Sequence, residues 1–222
     1  AEGETTVLRL GIGVSGSILT VASGDVTINN VTIADGDAVK GGGIHQITGN
    51  LSLNGVSITD NAAEEGGGLY VGGVATLTNS SVTLNQAYAQ DIALGGGIRV
   101  AESGSLILVD SNISSNTAST YGYCPADIFE PGPYAQGGGI YTNGDIYGGG
   151  SIKNNAVNSC ASEGGAMFVD HQSTGLGGSI ELIGMIITDN KVVGERHDMG
   201  AVAVVVGTDL LSIVDSDILY HE

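Results

Sequence analysis

The chain contains no tryptophan, three prolines, two cysteines and only six basic residues among its 222, and each scarcity narrows what it can be. Scarce proline beside 38 glycines excludes both collagen, which needs abundant proline, and a proline-rich disordered linker. Six Lys plus Arg against 24 Asp plus Glu leave a net charge of −18, which repels nucleic-acid phosphates and anionic membrane surfaces. The partners this charge favours are cations, neutral glycans or basic proteins; no nucleic acid is expected. The longest apolar run, Ala201 to Val206, is far short of the ~20 residues that span a bilayer, so no membrane insertion is expected. Cys124 and Cys160 lie outside any CxxC spacing and read as one disulfide rather than a metal site. The opening Ala1-Glu2-Gly3-Glu4, with neither Met nor an apolar leader, reads as a mature exported chain, secreted or held at the cell surface.

What is abundant is repetition. A glycine cluster followed by an apolar residue returns as Gly41-Gly42-Gly43-Ile44, Gly66-Gly67-Gly68-Leu69, Gly95-Gly96-Gly97-Ile98 and Gly137-Gly138-Gly139-Ile140, with weaker copies at Gly164-Gly165-Ala166-Met167 and Met199-Gly200-Ala201-Val202. The intervals run from 25 to 42 residues, a unit with variable additions. Between the clusters stands an alternating strand, a short turn and a second strand ending in Asn, as in Leu51 to Asn61, Leu77 to Asn85, Leu106 to Asn116 and Ile180 to Asn190. A period of two with Val, Ile and Thr specifies strands with one face inward, and no segment sustains a period of 3.6. Strands this short cannot make ordinary hairpins, yet each can stack on its equivalent one repeat later. The expected fold is all-β, a single-stranded right-handed parallel β-helix over residues 1–222 as one domain. About eight coils at ~4.8 Å each make a rod roughly 40 Å long. Asn61, Asn85, Asn116, Asn155 and Asn190 are expected to form a structural ladder, with these residues taking the left-handed conformation.

The alternation of GGG[ILM] with an apolar-x-x-Asn element, as in Ile58-Thr59-Asp60-Asn61 or Ile187-Thr188-Asp189-Asn190, resembles the polymorphic outer-membrane protein (Pmp) repeat, written GGA[ILV] and FxxN. An aliphatic residue stands here for the family's Phe. The resemblance covers roughly residues 25–205. It implies a surface-exposed or secreted β-helix of the autotransporter-passenger kind, often an adhesin.

Length varies mainly between the strand ending in Asn and the next glycine cluster: 62–65, 86–94, 117–136, 156–163 and 191–198. Since every coil returns to the same angle, these segments are expected to project as loops from one edge and form a binding face. The longest, an inserted loop at 117–136, carries Tyr121, Tyr123, Phe129 and Tyr134 with Asp127 and Glu130, and Tyr88 lies in the preceding loop. Exposed tyrosines beside carboxylates suit sugar rings or protein partners.

Catalytic motifs are thin. Gly11-Ile12-Gly13-Val14-Ser15-Gly16 fits GxGxxG, but Ser17 to Val21 reads as strand, so no helix N-terminus follows to receive a pyrophosphate. Glu195, His197 and Asp198 around Arg196 are the weak catalytic candidates, a set from which a polysaccharide lyase or glycoside hydrolase would draw acid and base. No cofactor is expected. Asp35-Gly36-Asp37 and Asp215-Ser216-Asp217 are fragments of calcium loops, which leaves Ca2+ as the one ion to consider. Four Asn-X-Ser/Thr sequons, at Asn30, Asn50, Asn79 and Asn112, fall at the repeat's turns. Outward threonines do not form the long ranks that ice binding wants.

Three readings follow: a non-catalytic extracellular scaffold or adhesin binding glycan or protein, an enzyme acting on polysaccharide, and a subunit of an end-to-end fibre. The last is suggested by a final coil, Leu211 to Leu219, that runs uncapped towards the terminus and invites self-association.

Overall fold

In the computed structural model every regular element among the described residues is a strand, and every strand pairs in parallel with its equivalent one coil away. The structure describes residues 6–11, 13–125, 132–170, 179–199, 203–206, 210–214 and 217–219. Three sheets of thirteen, seven and eight strands form the walls. The longest ladder starts at Thr6–Arg9, passes through Val31–Ala34, Ser57–Thr59 and Ser81–Thr83, and ends at Asp217–Leu219, eight rungs in all.

The alternation in the sequence maps directly onto the walls. Leu51 and Leu53 align with Ala75 and Leu77, then Leu106 and Leu108, while Ile44, Leu69, Ile98, Ile140 and Met167 stack on the seven-stranded wall. These side chains are buried in one continuous aliphatic core. Each Leu, Ile or Met among them contributes about 2 kcal/mol by leaving water, which is what holds a chain of three-residue strands together.

A left-handed residue turns the chain at each of three corners. One column is Asn30, Gly55, Asn79, Asp110 and Gly184; the second is Asp35, Asp60, Leu84, Ser115, Asn154 and Asp189; the third is Gly41, Gly66, Gly95, Gly137 and Gly164, with φ between 48° and 68° throughout. The left-handed conformation expected of the ladder asparagines belongs instead to the residue before each, Asp60, Leu84, Ser115, Asn154 and Asp189, which frees the Asn itself to point inward. The glycine triplet has a separate cause at each place. A Cβ at Gly66 would lie 2.4 Å from the Leu69 carbonyl oxygen, at Gly67 2.4 Å from that of Gly96, and at Gly68 2.9 Å from the Asn85 side chain.

The asparagine ladder is real and buried. The backbone N–H and Nδ2 of Asn85 both donate to Asn116 Oδ1, at 3.0 and 3.1 Å, and its Nδ2 also reaches the Ile58 carbonyl at 2.9 Å. Asn61, Asn116 and Asn155 donate to the next Asn in the same way. Every amide is satisfied, so the column seals a polar corner that water never reaches.

The variable segments are largely strands: of their described residues, 90–91, 121–125 and 132–133 run outside one. Asp37–Lys40, Ala62–Glu65, Gln86–Ala89, Ile92–Leu94, Thr117–Thr120, Tyr134–Gln136, Ala156–Glu163 and Lys191–Met199 make the eight-stranded sheet, and two of them lie within the expected loop at 117–136. Their inward residues are mostly alanine, and so weak an apolar alternation reads as loop.

Candidate functional site

From the third rung of this sheet the wall widens. The first two rungs need four residues each, whereas the next coils send one strand out and another back, Gln86–Ala89 with Ile92–Leu94 and Thr117–Thr120 with Tyr134–Gln136, the two strands touching. The result is a thin side lobe. Ala87, Ala89, Ala93, Ala118, Ala135 and Val157 fill it as a cluster separate from the main core. Most of these side chains are single methyl groups, and a buried methyl group contributes only about 0.8 kcal/mol. Cys124 and Cys160 are bonded across neighbouring layers of the lobe, Cα to Cα 5.7 Å, and this link supplies the stability that the alanine interior does not. The disulfide expected from the sequence is present.

The tip of the lobe gathers tyrosines. Tyr88 is 47% exposed, Tyr121 58%, Tyr123 80% and Tyr134 36%. The rings of Tyr88 and Tyr121 lean together at 4.8 Å and 37°. Backbone bonds fix them: Tyr121 N–H to the Ala89 carbonyl at 3.1 Å, Gly122 to Gln90 at 2.8 Å and Tyr134 to Asp91 at 2.9 Å. Partial burial, reinforced by the Asp170 carboxylate, raises the Tyr134 pKa. Beside Tyr123 and the disulfide lies a notch of ≈ 400 Å³ lined by Thr120, Gly122, Asn158 and Ser159. Ser159 Oγ donates to the Pro133 carbonyl at 2.9 Å, so in the 2.6 Å contact with Thr120 it is Thr120 that donates. Phe129, Asp127 and Glu130 lie outside the described residues, as do the side chains of Glu195, His197 and Asp198, whose strand runs along Ala156–Glu163. Among the described residues no group of three or more His, Cys, Asp or Glu is placed to hold a metal ion.

Sequence reasoning missed a second aromatic rank, on the outer face of the seven-stranded sheet. His45, Tyr70, Arg99, Tyr141 and Phe168 occupy successive rungs. The signal was available: each stands one place after the apolar residue that follows a glycine cluster. Here the groups are spent on one another. Lys40 lies over Tyr70 and Arg99 over Tyr141, at 4.7 and 4.4 Å from the ring centroids, and Tyr141 stacks on Phe168 at 5.5 Å. Glu65 pairs with Lys40 at 3.5 Å and with Arg99 at 3.6 Å. Arg99 also binds the Val100 carbonyl and Asn143 Oδ1, and the Tyr141 hydroxyl donates to Asp170 at 3.2 Å. Burial lowers the Arg99 pKa, and burial pushes Tyr141 up to about 12 against the pull of Arg99. A Tyr held so firmly protonated is no base near neutral pH.

A larger depression, ≈ 620 Å³, opens between Ser15–Ser17 and the strand Asp37–Lys40 near His45. It exists because that strand is the end rung of its sheet, met below by the Gly16–Asp37 bridge and by Ser17 Oγ, which donates to the Lys40 carbonyl at 3.0 Å. We attribute it to the end of the stack.

Parallel three-walled coils with stacked aliphatic and asparagine columns define a β-solenoid. The chain belongs to the right-handed β-helix family: the model of the right-handed beta helix region matches residues 12–217. No curated protein and no solved structure matches it.

Proposed function

We propose that the protein is an extracellular, non-catalytic β-helical scaffold, adhesin-like in use, that holds its tyrosine patch against a glycan or protein of another surface. The observation that carries this is the exposure of Tyr88, Tyr121 and Tyr123 at the tip of a lobe built of strands and bound by a disulfide. A rigid mount keeps aromatic contact area solvent-facing at little entropic cost, the condition under which tyrosines dominate binding. The disulfide suits an oxidising, extracellular compartment. The repeat's likeness to the Pmp repeat, whose members are surface-exposed, supports the same setting. A cell-binding and glycan-array comparison of wild type with Tyr121→Ala/Tyr123→Ala tests it: binding should fall at least tenfold, and wild-type binding by the variant removes the assignment.

End-to-end stacking is a second reading, favoured by an apolar hollow of ≈ 410 Å³ at the first coil, lined by Leu8, Leu19, Val26, Ile28 and Val31. Light scattering at rising concentration should show growing species; a constant monomer mass eliminates it.

A further inference from the structure

We infer that the patch takes a neutral linear saccharide, laid parallel to the helix axis from Tyr88, past Tyr121, to the notch at Asn158. The inference rests on the patch being the binding surface, and adds the ligand's class and direction.

The class comes from the lining of the notch. Thr120, Tyr123, Asn158 and Ser159 supply hydroxyl and amide groups, and none of the described lining side chains is charged at neutral pH. With its proton committed to Ser159, Thr120 is left as an acceptor, while the exposed Asn158 amide can both donate and accept. Sugar hydroxyls match such a mixture. A carboxylate or sulfate would find no cation among the described residues of the lining. A carboxylate at the rim, Asp91, points an oxygen towards Gly122, and with the −18 charge of the chain it discourages anions further.

The direction comes from the register. Tyr88, Ser119 and Asn158 lie on successive rungs of one outward rank, which sets Tyr88 and Asn158 about 10 Å apart along the axis. The residue between them does not obstruct: Ser119 is buried and accepts from Gln86 Nε2 at 3.0 Å. One end of this track is an apolar ring platform, suited to the C–H face of a pyranose, and the other is a polar recess within the volume range of ligand sites. A chain of about three sugar units covers both ends.

The test is calorimetric titration of the disulfide-intact chain with neutral oligosaccharides of one to six units, and with uronate-bearing and amine-bearing counterparts, at low and high salt. Affinity should rise at least tenfold from one to three units and then level off, and salt should change it less than twofold. Tyr121→Ala should cost tenfold on the trisaccharide and little on the monosaccharide, whereas Asn158→Asp should weaken both; both positions are exposed, so unchanged melting checks the fold. A flat length dependence, a preference for charged sugars, or indifference to both variants overturns the inference. Tyrosine-dependent binding to cells or proteins without any saccharide binding overturns it too, and leaves the patch reading standing. Wild-type cell binding by Tyr121→Ala/Tyr123→Ala overturns both.

Discussion

Two aromatic ranks face outward from this β-helix, and they differ in what their neighbours leave unsatisfied. On the seven-stranded wall, Arg99, Tyr141 and Phe168 are only 8%, 5% and 4% exposed, and every ring carries a cation or another ring. At the lobe tip Tyr88 and Tyr121 lean on each other, yet they and Tyr123 remain 47%, 58% and 80% exposed. The same residue types thus serve cohesion where the wall is continuous and stay exposed where a thin lobe carries them beyond it, which is why the proposed binding surface lies at the lobe. Outward orientation alone does not leave a ring available to a ligand; outward orientation with substantial exposure does.

The comparison can be broken at the shared frame first. Asn116→Leu should cost about 4 kcal/mol, since it strands the buried Asn85 N–H and takes the Asn116 Nδ2 donor away from both Asn155 Oδ1 and the Val82 carbonyl. Urea unfolding would show both ranks lost together, and a loss below about 1 kcal/mol would mean the ladder is not structural.

A smaller blow falls on the lobe alone. Replacing Cys124 and Cys160 by Ser releases a link that closes 36 residues and should cost about 3 kcal/mol. Hydrogen exchange should then rise at Tyr121 and Tyr134 but not at Leu69 or Ile98, because only the alanine interior depends on the link. Uniform loosening would contradict the division into core and lobe.

The seven-stranded wall should answer to alkali instead. Its Tyr141 holds a proton up to about pH 12 in the folded chain, above the ordinary value of 10, so the unfolded state ionises first. Stability from this group is intact below pH 10 and is lost as pH rises towards 12, about 2 kcal/mol in all. Tyr141→Phe lacks this loss, so its melting temperature should fall less than that of wild type between pH 10 and 11.5; parallel curves would refute the assignment. The smallest stability effect belongs to Tyr121→Ala/Tyr123→Ala, within about 0.5 kcal/mol because the rings are exposed. Those two variants should separate stability from binding most cleanly.

Much of the architecture was legible because a solenoid repeats its errors and its signals alike. Leu51-Ser52-Leu53 and Leu106-Ile107-Leu108 announce walls, and the triplet Gly66-Gly67-Gly68 announces a corner, since each must recur wherever the backbone closes on itself. The lobe was read as loops because Ala87, Ala118 and Ala135 hardly register as an apolar period. The rank from His45 to Phe168 escaped notice because its members share a position but not a residue type.

The local sequence by itself determined the coil: period-two aliphatics demand a buried face, and glycine, Asp or Asn at the corners tolerates a left-handed turn that other residues resist. Tertiary structure alone decided which tyrosines remain free. That depends on partners one coil away, dozens of residues distant in sequence, and on a disulfide that holds Tyr121 and Tyr123 outside the wall into which Tyr141 is packed.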